Sequence, residues 1–329
     1  MTRGTRRADH GKGVRGVPWK RTGDYLVYLL VRFLVAGIQA VPMATCQRWF
    51  RPLVWLLADV FKVRQRVLEE NLRNAFPELS AREREHLIRR NWEHFLLMVA
   101  EIAQAPRKIH RTNWRQHVTL RQGRTLVGNM LSERPAVIVC GHFGNFEVAG
   151  VIVSLLGLPT FTVARPLDNP YLHDLVERTR STHGQYILPK QGSRGEVERM
   201  LAMGSTLTVL GDQAAGKKGC WVDFFGRPAS TNKAIAVFAL TYDAPLMVNY
   251  ARRVDRPLHF EIGLAGTFDP SATGDPSATG ESTPGIPEVT AWFTARLEEI
   301  VRRDPEQYWW VHRRWKGSDE ARRPVKKVA

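Results

Sequence analysis

The sequence predicts an α/β fold preceded by an apolar N-terminal helical region. Two observations carry this. From Arg134 onward, short β-branched runs alternate with helix-length segments, the pattern of strands joined by crossover helices. Ahead of them, residues 25–43 (YLVYLLVRFLVAGIQAVPM) form a nearly continuous apolar stretch. With 329 residues, 43% of them hydrophobic, the chain can bury a sizeable core.

Taken in order, residues 1–24 carry seven Lys or Arg and read as a disordered basic arm. The stretch 25–43 is just long enough for a hydrocarbon core of about 30 Å, although Arg32 and Gln39 interrupt it and Pro42 ends it. A second segment, WFRPLVWLLADVF, has tryptophans and a flanking arginine suited to a bilayer interface, so residues 25–62 read as membrane-associating helices. Ser80 with Glu83 forms a capping-box pattern, and Leu87, Ile88, Trp92, Phe95, Val99 and Ile102 then recur at helical spacing to about Ala105. Within a domain spanning 63–317, strands are expected at 136–140, 160–164, 185–188, 206–210, 246–251 and 258–264. Helices are expected at 146–156, 171–182, 194–203, 231–241 and 287–303. The near-repeat DPSATGDPSATG marks 269–285 as a flexible insertion, and 318–329 as a basic tail.

The seam PAVIVCGHFGNFEVAG carries the first chemical signal. On a single helix His142 and Glu147 would point about 140° apart. If Ala136–Cys140 is a buried strand and Asn145 caps a helix, His142 sits on the intervening turn. Glu147 then lies in the first helical turn, where the helix dipole favours a carboxylate. A carboxylate bonded to one ring nitrogen fixes the tautomer and leaves the other as a base. Further polar residues stand at successive strand ends: Arg165 in ARPLDNP, Asp212 and Gln213 in GDQ, and Asp223, Arg227 and Lys233 in VDFFGRPASTNK. Singly, each arginine reads as a solvated surface charge; together they outline a polar cleft, where ligands of α/β sheets gather.

Three widely spaced cysteines suggest neither a disulfide framework nor a zinc module. A single His with a single Glu is too small a ligand set for a metal, and no metal or other cofactor is expected. The formal charge of +16 suits anionic lipid, nucleic acid or acidic proteins. No helix-turn-helix, zinc-finger or aromatic RNA-binding signature accompanies it, so nucleic acid is not the expected partner.

The blocks GHFGNFE, ARPLDNP, GDQ with VDFFGRPAST, and PEQYWWVHRRWK, in this order, closely resemble the lipid A late acyltransferases of the lysophospholipid acyltransferase superfamily, as does NLRNAFPELSAREREHLIRRNWEHF (71–95). The resemblance spans about residues 20–317; Phe146 stands where many relatives have Trp. A branch similar to the phosphatidylinositol mannoside acyltransferases shares the motifs. The resemblance implies a glycerolipid-acyltransferase-like mixed sheet flanked by helices. It also implies acyl transfer from an acyl thioester, held by acyl carrier protein or coenzyme A, to a glycolipid acceptor at the cytoplasmic face of the inner membrane.

In that chemistry His142 would activate the acceptor hydroxyl and Glu147 would orient the imidazole. Backbone N–H groups near Gly144, or Arg165, would receive the oxyanion. Arg165, Arg194 and Lys233 would grip an anionic acceptor, and Asp212 would position a basic group or an acceptor hydroxyl. No Ser or Cys elbow is present, which favours direct transfer. A catalytically silent lipid-binding protein is the alternative. Two readings of YWWVHRRW stand open: a core anchor, or tryptophans at a membrane surface with Arg313 and Arg314 facing lipid phosphates. The basic arm would hold the N-terminus in the cytoplasm, so a single span would expel the catalytic domain; an interfacial helix or an inverted span avoids this.

Overall fold

The computed structural model describes residues 18–181, 185–189, 192–272 and 284–318. The expected arm up to residue 17, most of the 269–285 insertion and the tail beyond 318 lie outside them. Four helices come first: α1 (Pro18–Ala40), α2 (Met43–Trp55), α3 (Gln65–Ala75) and α4 (Ala81–Lys108). Helix α1 starts at Pro18, seven residues before the expected start of the apolar segment at Tyr25, because proline preorganises a first helical turn. Helix α2 contains Pro52 and runs directly into a π-helical turn at Leu56–Val60, which absorbs the disrupted hydrogen-bond ladder. The Ser80–Glu83 capping box forms at the start of α4 as its sequence pattern requires.

The rest of the chain builds a mixed sheet. Its elements are β1 (Val118–Arg121), α5 (Gly123–Met130), β2 (Ala136–Cys140), α6 (Phe146–Leu155), β3 (Thr160–Ala164), α7 (Pro170–Ser181), β4 (Gln185–Pro189), α8 (Arg194–Ala202) and β5 (Thr206–Leu210). These are followed by β6 (Cys220–Phe224), β7 (Arg227–Thr231), α9 (Ala234–Thr241), β8 (Leu246–Arg253), β9 (Phe260–Phe268) and α10 (Ile286–Arg303). The main sheet has seven strands in the order β1-β9-β8-β2-β5-β3-β4, while β6 and β7 form a separate antiparallel hairpin. Strands β8, β2, β5, β3 and β4 are mutually parallel, and β9 turns back antiparallel to β8.

Every residue of β2 but the last is buried, as a central strand covered on both faces demands. Val137 and Val139 join Leu246, Val248, Phe293 and Leu297 in the main core, whereas Ala136 and Ile138 face Met247 and Leu126 on the other side. That alternation is the strand's period of two expressed as two cores.

Two pieces differ from expectation. Strand β1 with α5 has no predicted counterpart, and the expected helix 231–241 begins only at Ala234 because 227–231 is strand β7. The hairpin turn places both Phe225 (φ 55°) and Gly226 (φ 65°) in the left-handed region, as a two-residue type I′ connection requires. Phenylalanine is a poor advertisement for such a turn.

Candidate active site

The site forms where the ends of β2 and β5 lie side by side. Cys140 pairs with Leu210 in the parallel ladder, so two residues further along each chain His142 and Asp212 emerge at the same level. His142 Nδ1 lies 2.7 Å from Asp212 Oδ1, and the His142 backbone N–H donates to Asp212 Oδ2 at 2.8 Å. One carboxylate thus fixes both the turn and the ring.

Asp212 is 3% exposed. Burial by itself would raise its pKa, but the His142 charge and hydrogen bonds, with the more distant Arg314 charge, hold it below its ordinary 3.8. The ionised carboxylate accepts a hydrogen bond from Nδ1–H and so leaves the lone pair on Nε2, facing outward. Burial would also lower the His142 pKa; the charge and hydrogen bond of Asp212, aided by the charge of Glu147, outweigh it and hold it above 6.5.

This corrects one expectation. The hydrogen bond anticipated between His142 and Glu147 goes instead to Asp212. Glu147 does sit in the first turn of α6, capped by the Asn145 side chain through the Val148 N–H, but its carboxylate is held by both arms of the Arg180 guanidinium, with Nε at 3.1 Å. Asp212, expected to serve a basic group or an acceptor hydroxyl, is the imidazole's partner. Arg180 had no sequence signal beyond being one charge among many on α7.

Gly144 also takes a different part. Its φ is +60°, and a Cβ there would stand 1.8 Å from the Ala251 carbonyl oxygen, so the turn admits only glycine. Its N–H donates to the Gln307 carbonyl at 2.9 Å and is not available for an oxyanion. The neighbouring turn is locked further: Phe143 bridges to Tyr308, and the Trp309 N–H donates to the His142 carbonyl. Beneath it, the carboxylate of Glu101, 0% exposed, accepts from Arg253 Nε (2.6 Å) and Nη2 (2.8 Å), Asn145 Nδ2 (3.0 Å) and the Leu258 N–H (3.0 Å).

His142 opens onto a cavity of about 600 Å³ between the sheet and α6, walled by Ile138, Val153, Val163, Ile187, Leu210 and Phe238. Glu147, Arg180, Gln213, Arg165 and Arg194 also line it. Arg165 is 78% exposed and pairs with Asp168, and Arg194 pairs with Glu198 on an exposed helical face. Lys233 is exposed at the start of α9 and does not line the cavity. Burial, with the Asp212 charge, pushes the Cys140 thiol up to about 12, so it stays protonated and is no nucleophile. Among the described residues no group of three or more His, Cys, Asp or Glu is clustered to hold a metal ion.

Of the two readings of YWWVHRRW, the structure supports the anchor. Trp310, Arg314 and Trp315 are buried. Arg314 donates to the Ser230 carbonyl and to Thr231 Oγ1, and stacks on Phe224, so it does not face lipid; Arg313 is exposed.

An imidazole paired with a carboxylate thus opens onto a largely apolar cavity at the strand ends of an α/β sheet. The chain belongs to the bacterial lipid A biosynthesis acyltransferase family, whose sequence model matches residues 19–317, and it is an acyltransferase. It is similar to the lipid A biosynthesis palmitoleoyltransferase of Escherichia coli K12, 26% identical over 269 residues, covering 78% of this chain and 79% of the relative. The lipid A biosynthesis lauroyltransferase of the same organism is 24% identical over 266 residues, covering 79% and 81%. Among solved structures, the 1-acyl-sn-glycerophosphate acyltransferase of Thermotoga maritima aligns over 80% of this chain and 97% of its own, at 11% identity and a TM-score of 0.35.

Proposed function

We propose that the protein moves a fatty acyl chain from an acyl thioester, carried by acyl carrier protein, to a hydroxyl of a lipid-linked sugar such as a lipid A precursor. The observation that carries this reading is the His142–Asp212 pair opening onto an apolar cavity. The two E. coli relatives, named for palmitoleoyl and lauroyl transfer in lipid A biosynthesis, support the choice of substrates.

In the reaction His142 Nε2 takes the proton of the acceptor hydroxyl as the oxygen attacks the thioester carbon. Asp212 holds the tautomer and stabilises the imidazolium. Collapse of the tetrahedral adduct breaks the C–S bond, and the imidazolium returns its proton to the departing thiolate. Transfer is direct: the sequence carries no recognisable Ser or Cys nucleophile elbow, and the Cys140 thiol beside the site is buried and held protonated. Arg165 and Arg194 at the cavity mouth bind acidic groups of the acceptor or carrier. Glu147 adds negative charge that favours the imidazolium and keeps Arg180 on the cavity wall. The primary test incubates the purified protein with acyl-carrier-protein and coenzyme A thioesters and a lipid A precursor, and reads products by mass; no acyl-acceptor product with either donor would refute the reading.

Asp212→Asn is expected to lower kcat about 10²- to 10⁴-fold, because a neutral amide no longer fixes the Nδ1–H tautomer. The sign of the pH effect follows from His142. Activity requires its neutral form, so the acid limb of kcat/KM in the native enzyme lies above pH 6.5. Removing the Asp212 charge moves that limb to lower pH while the plateau falls; an unmoved limb would show that the carboxylate does not act on this base.

The protein also works at the cytoplasmic face of the inner membrane. One helix, Lys20–Ala40, is long and apolar enough to span a bilayer by length and composition. Both its ends, however, touch the catalytic domain. Asn169 donates to the Asp24 carbonyl, Tyr25 packs edge-on against Tyr171, and Gln104 donates to the Ile38 carbonyl. A helix held at both ends lies along the domain, which favours the interfacial placement. Its outward stripe, Leu26, Leu30, Phe33 and Leu34, follows helical spacing, and Phe33 is 75% exposed. Phe33→Glu should release protein from anionic vesicles in a sedimentation assay; undiminished binding would refute this face as the membrane contact.

A further inference from the structure

With the Gly144 N–H engaged and Arg165 splayed to the cavity mouth, the oxyanion of the transfer reaction lacks the donors expected for it. The structure assigns this task to Gln213: we propose that its side-chain amide N–H stabilises the tetrahedral oxyanion, an assignment that rests on the acyl-transfer reading of the same site.

The backbone on both sides of Gln213 is fixed. Before it, the Gly211 N–H donates to the Cys140 carbonyl at 2.9 Å, and Asp212 is bound twice to His142. Gly211 is packed so closely that a Cβ would meet Val139 at 2.6 Å and Ile235 at 2.9 Å, which leaves the turn no room to shift. After it, the Ala214 N–H donates to His312 Nε2 at 3.1 Å. Between these anchors the Gln213 side chain is exposed and lines the cavity, with its Nε2 3.3 Å from His142 Nε2. The Nδ1 proton of His142 belongs to the Asp212 contact, so Nε2 carries the lone pair and the Gln213 amide is the donor.

That long bond is made to the very lone pair the reaction consumes. As the acceptor O–H binds and its proton passes to Nε2, the Gln213 N–H loses its partner. In the same step the new C–O bond forms and the thioester carbonyl π pair moves onto oxygen, creating an anion. An effective donor sits about 2.7–3.1 Å from that oxygen. A group one hydrogen-bond length from Nε2, beside the attacking oxygen, can reach it by side-chain rotation alone. When the adduct collapses, the C–S bond breaks, the imidazolium proton goes to the thiolate, and the amide returns to the Nε2 lone pair. The resting contact therefore parks the donor where the charge will develop.

The test uses the full chain with acyl-carrier-protein thioester and lipid A precursor, comparing wild type, Gln213→Leu, Gln213→Glu and His142→Ala. Gln213→Leu should lower kcat about 10²-fold with KM changed less than about twofold, the signature of an interaction made only in the transition state. Gln213→Glu should lower kcat at least as far. It should also move the acid limb of the pH profile upward, because a carboxylate beside Nε2 favours the imidazolium. Unchanged kcat in Gln213→Leu, or an effect confined to KM, would overturn the assignment while leaving the parent reading intact, provided His142→Ala is inactive. Full activity in His142→Ala would sink both. Because the Gln213 side chain is exposed, its variants should melt as wild type does, and a kcat loss accompanied by a large melting shift in both variants would count against the proposal.

Discussion

His142→Ala should cost about 10²- to 10⁴-fold in acyl transfer, the range a positioned general base supplies. The loss should fall on kcat and kcat/KM alike, since the base acts on the reacting proton and not on the bound chain. The fold should survive. Asp212 keeps the backbone N–H of residue 142 as a partner at 2.8 Å, and Arg314 still offers its charge nearby. The Gly144–Gln307 and Trp309–His142 backbone bonds that fix the turn involve no imidazole. Circular dichroism checks the fold and a mass-resolved product assay checks the rate. Folded protein with near-native turnover would refute a role for His142 as base.

The largest effect on stability should come from Glu101→Ala. Its carboxylate is fully buried and accepts four hydrogen bonds, two from Arg253 and one each from Asn145 and Leu258. Truncating it leaves a guanidinium buried without its countercharge, which typically costs about 3–5 kcal/mol. The damage should also reach the site, because Asn145 both bonds Glu101 and caps α6 beside the catalytic turn. Denaturant titration should show a lower midpoint at an unchanged slope. Replacing Glu101 and Arg253 together by Leu and Met removes both charges and should cost less than the single truncation. A double variant as unstable as Glu101→Ala would point to lost packing instead of a stranded charge.

His142 was legible in the sequence because its signals are local: a β-branched run, a glycine-flanked turn and an Asn cap within a dozen residues. Its partner was not. Glu147 lies five positions away and invited the pairing, while Asp212 lies 70 positions away. Their contact depends on β5 inserting between β2 and β3, a matter of strand order that no residue near His142 records. The same holds for Gly144: the carbonyls that surround it come from β8 and from the segment after α10, far from it in sequence. Strand β2 announces itself by a continuous apolar run, and β3, β5 and β8 by short segments rich in β-branched and large apolar residues. Strand β1, only four residues long with two of them exposed, and the hairpin turning through Phe225 carry no such mark.

The residues that close the catalytic turn, Gln307 to Trp309, bear on the order in which the site comes into being. A ribosome delivers His142 long before it delivers the segment that receives the Gly144 N–H and bridges Phe143. Until then the turn lacks its fixed partners, and the chain must close a very long loop to acquire them, a step whose entropic cost precedes its reward. The base is therefore assembled late in folding. A single backbone cleavage between α10 and Trp309 should silence the enzyme without touching the cavity, the imidazole or its carboxylate.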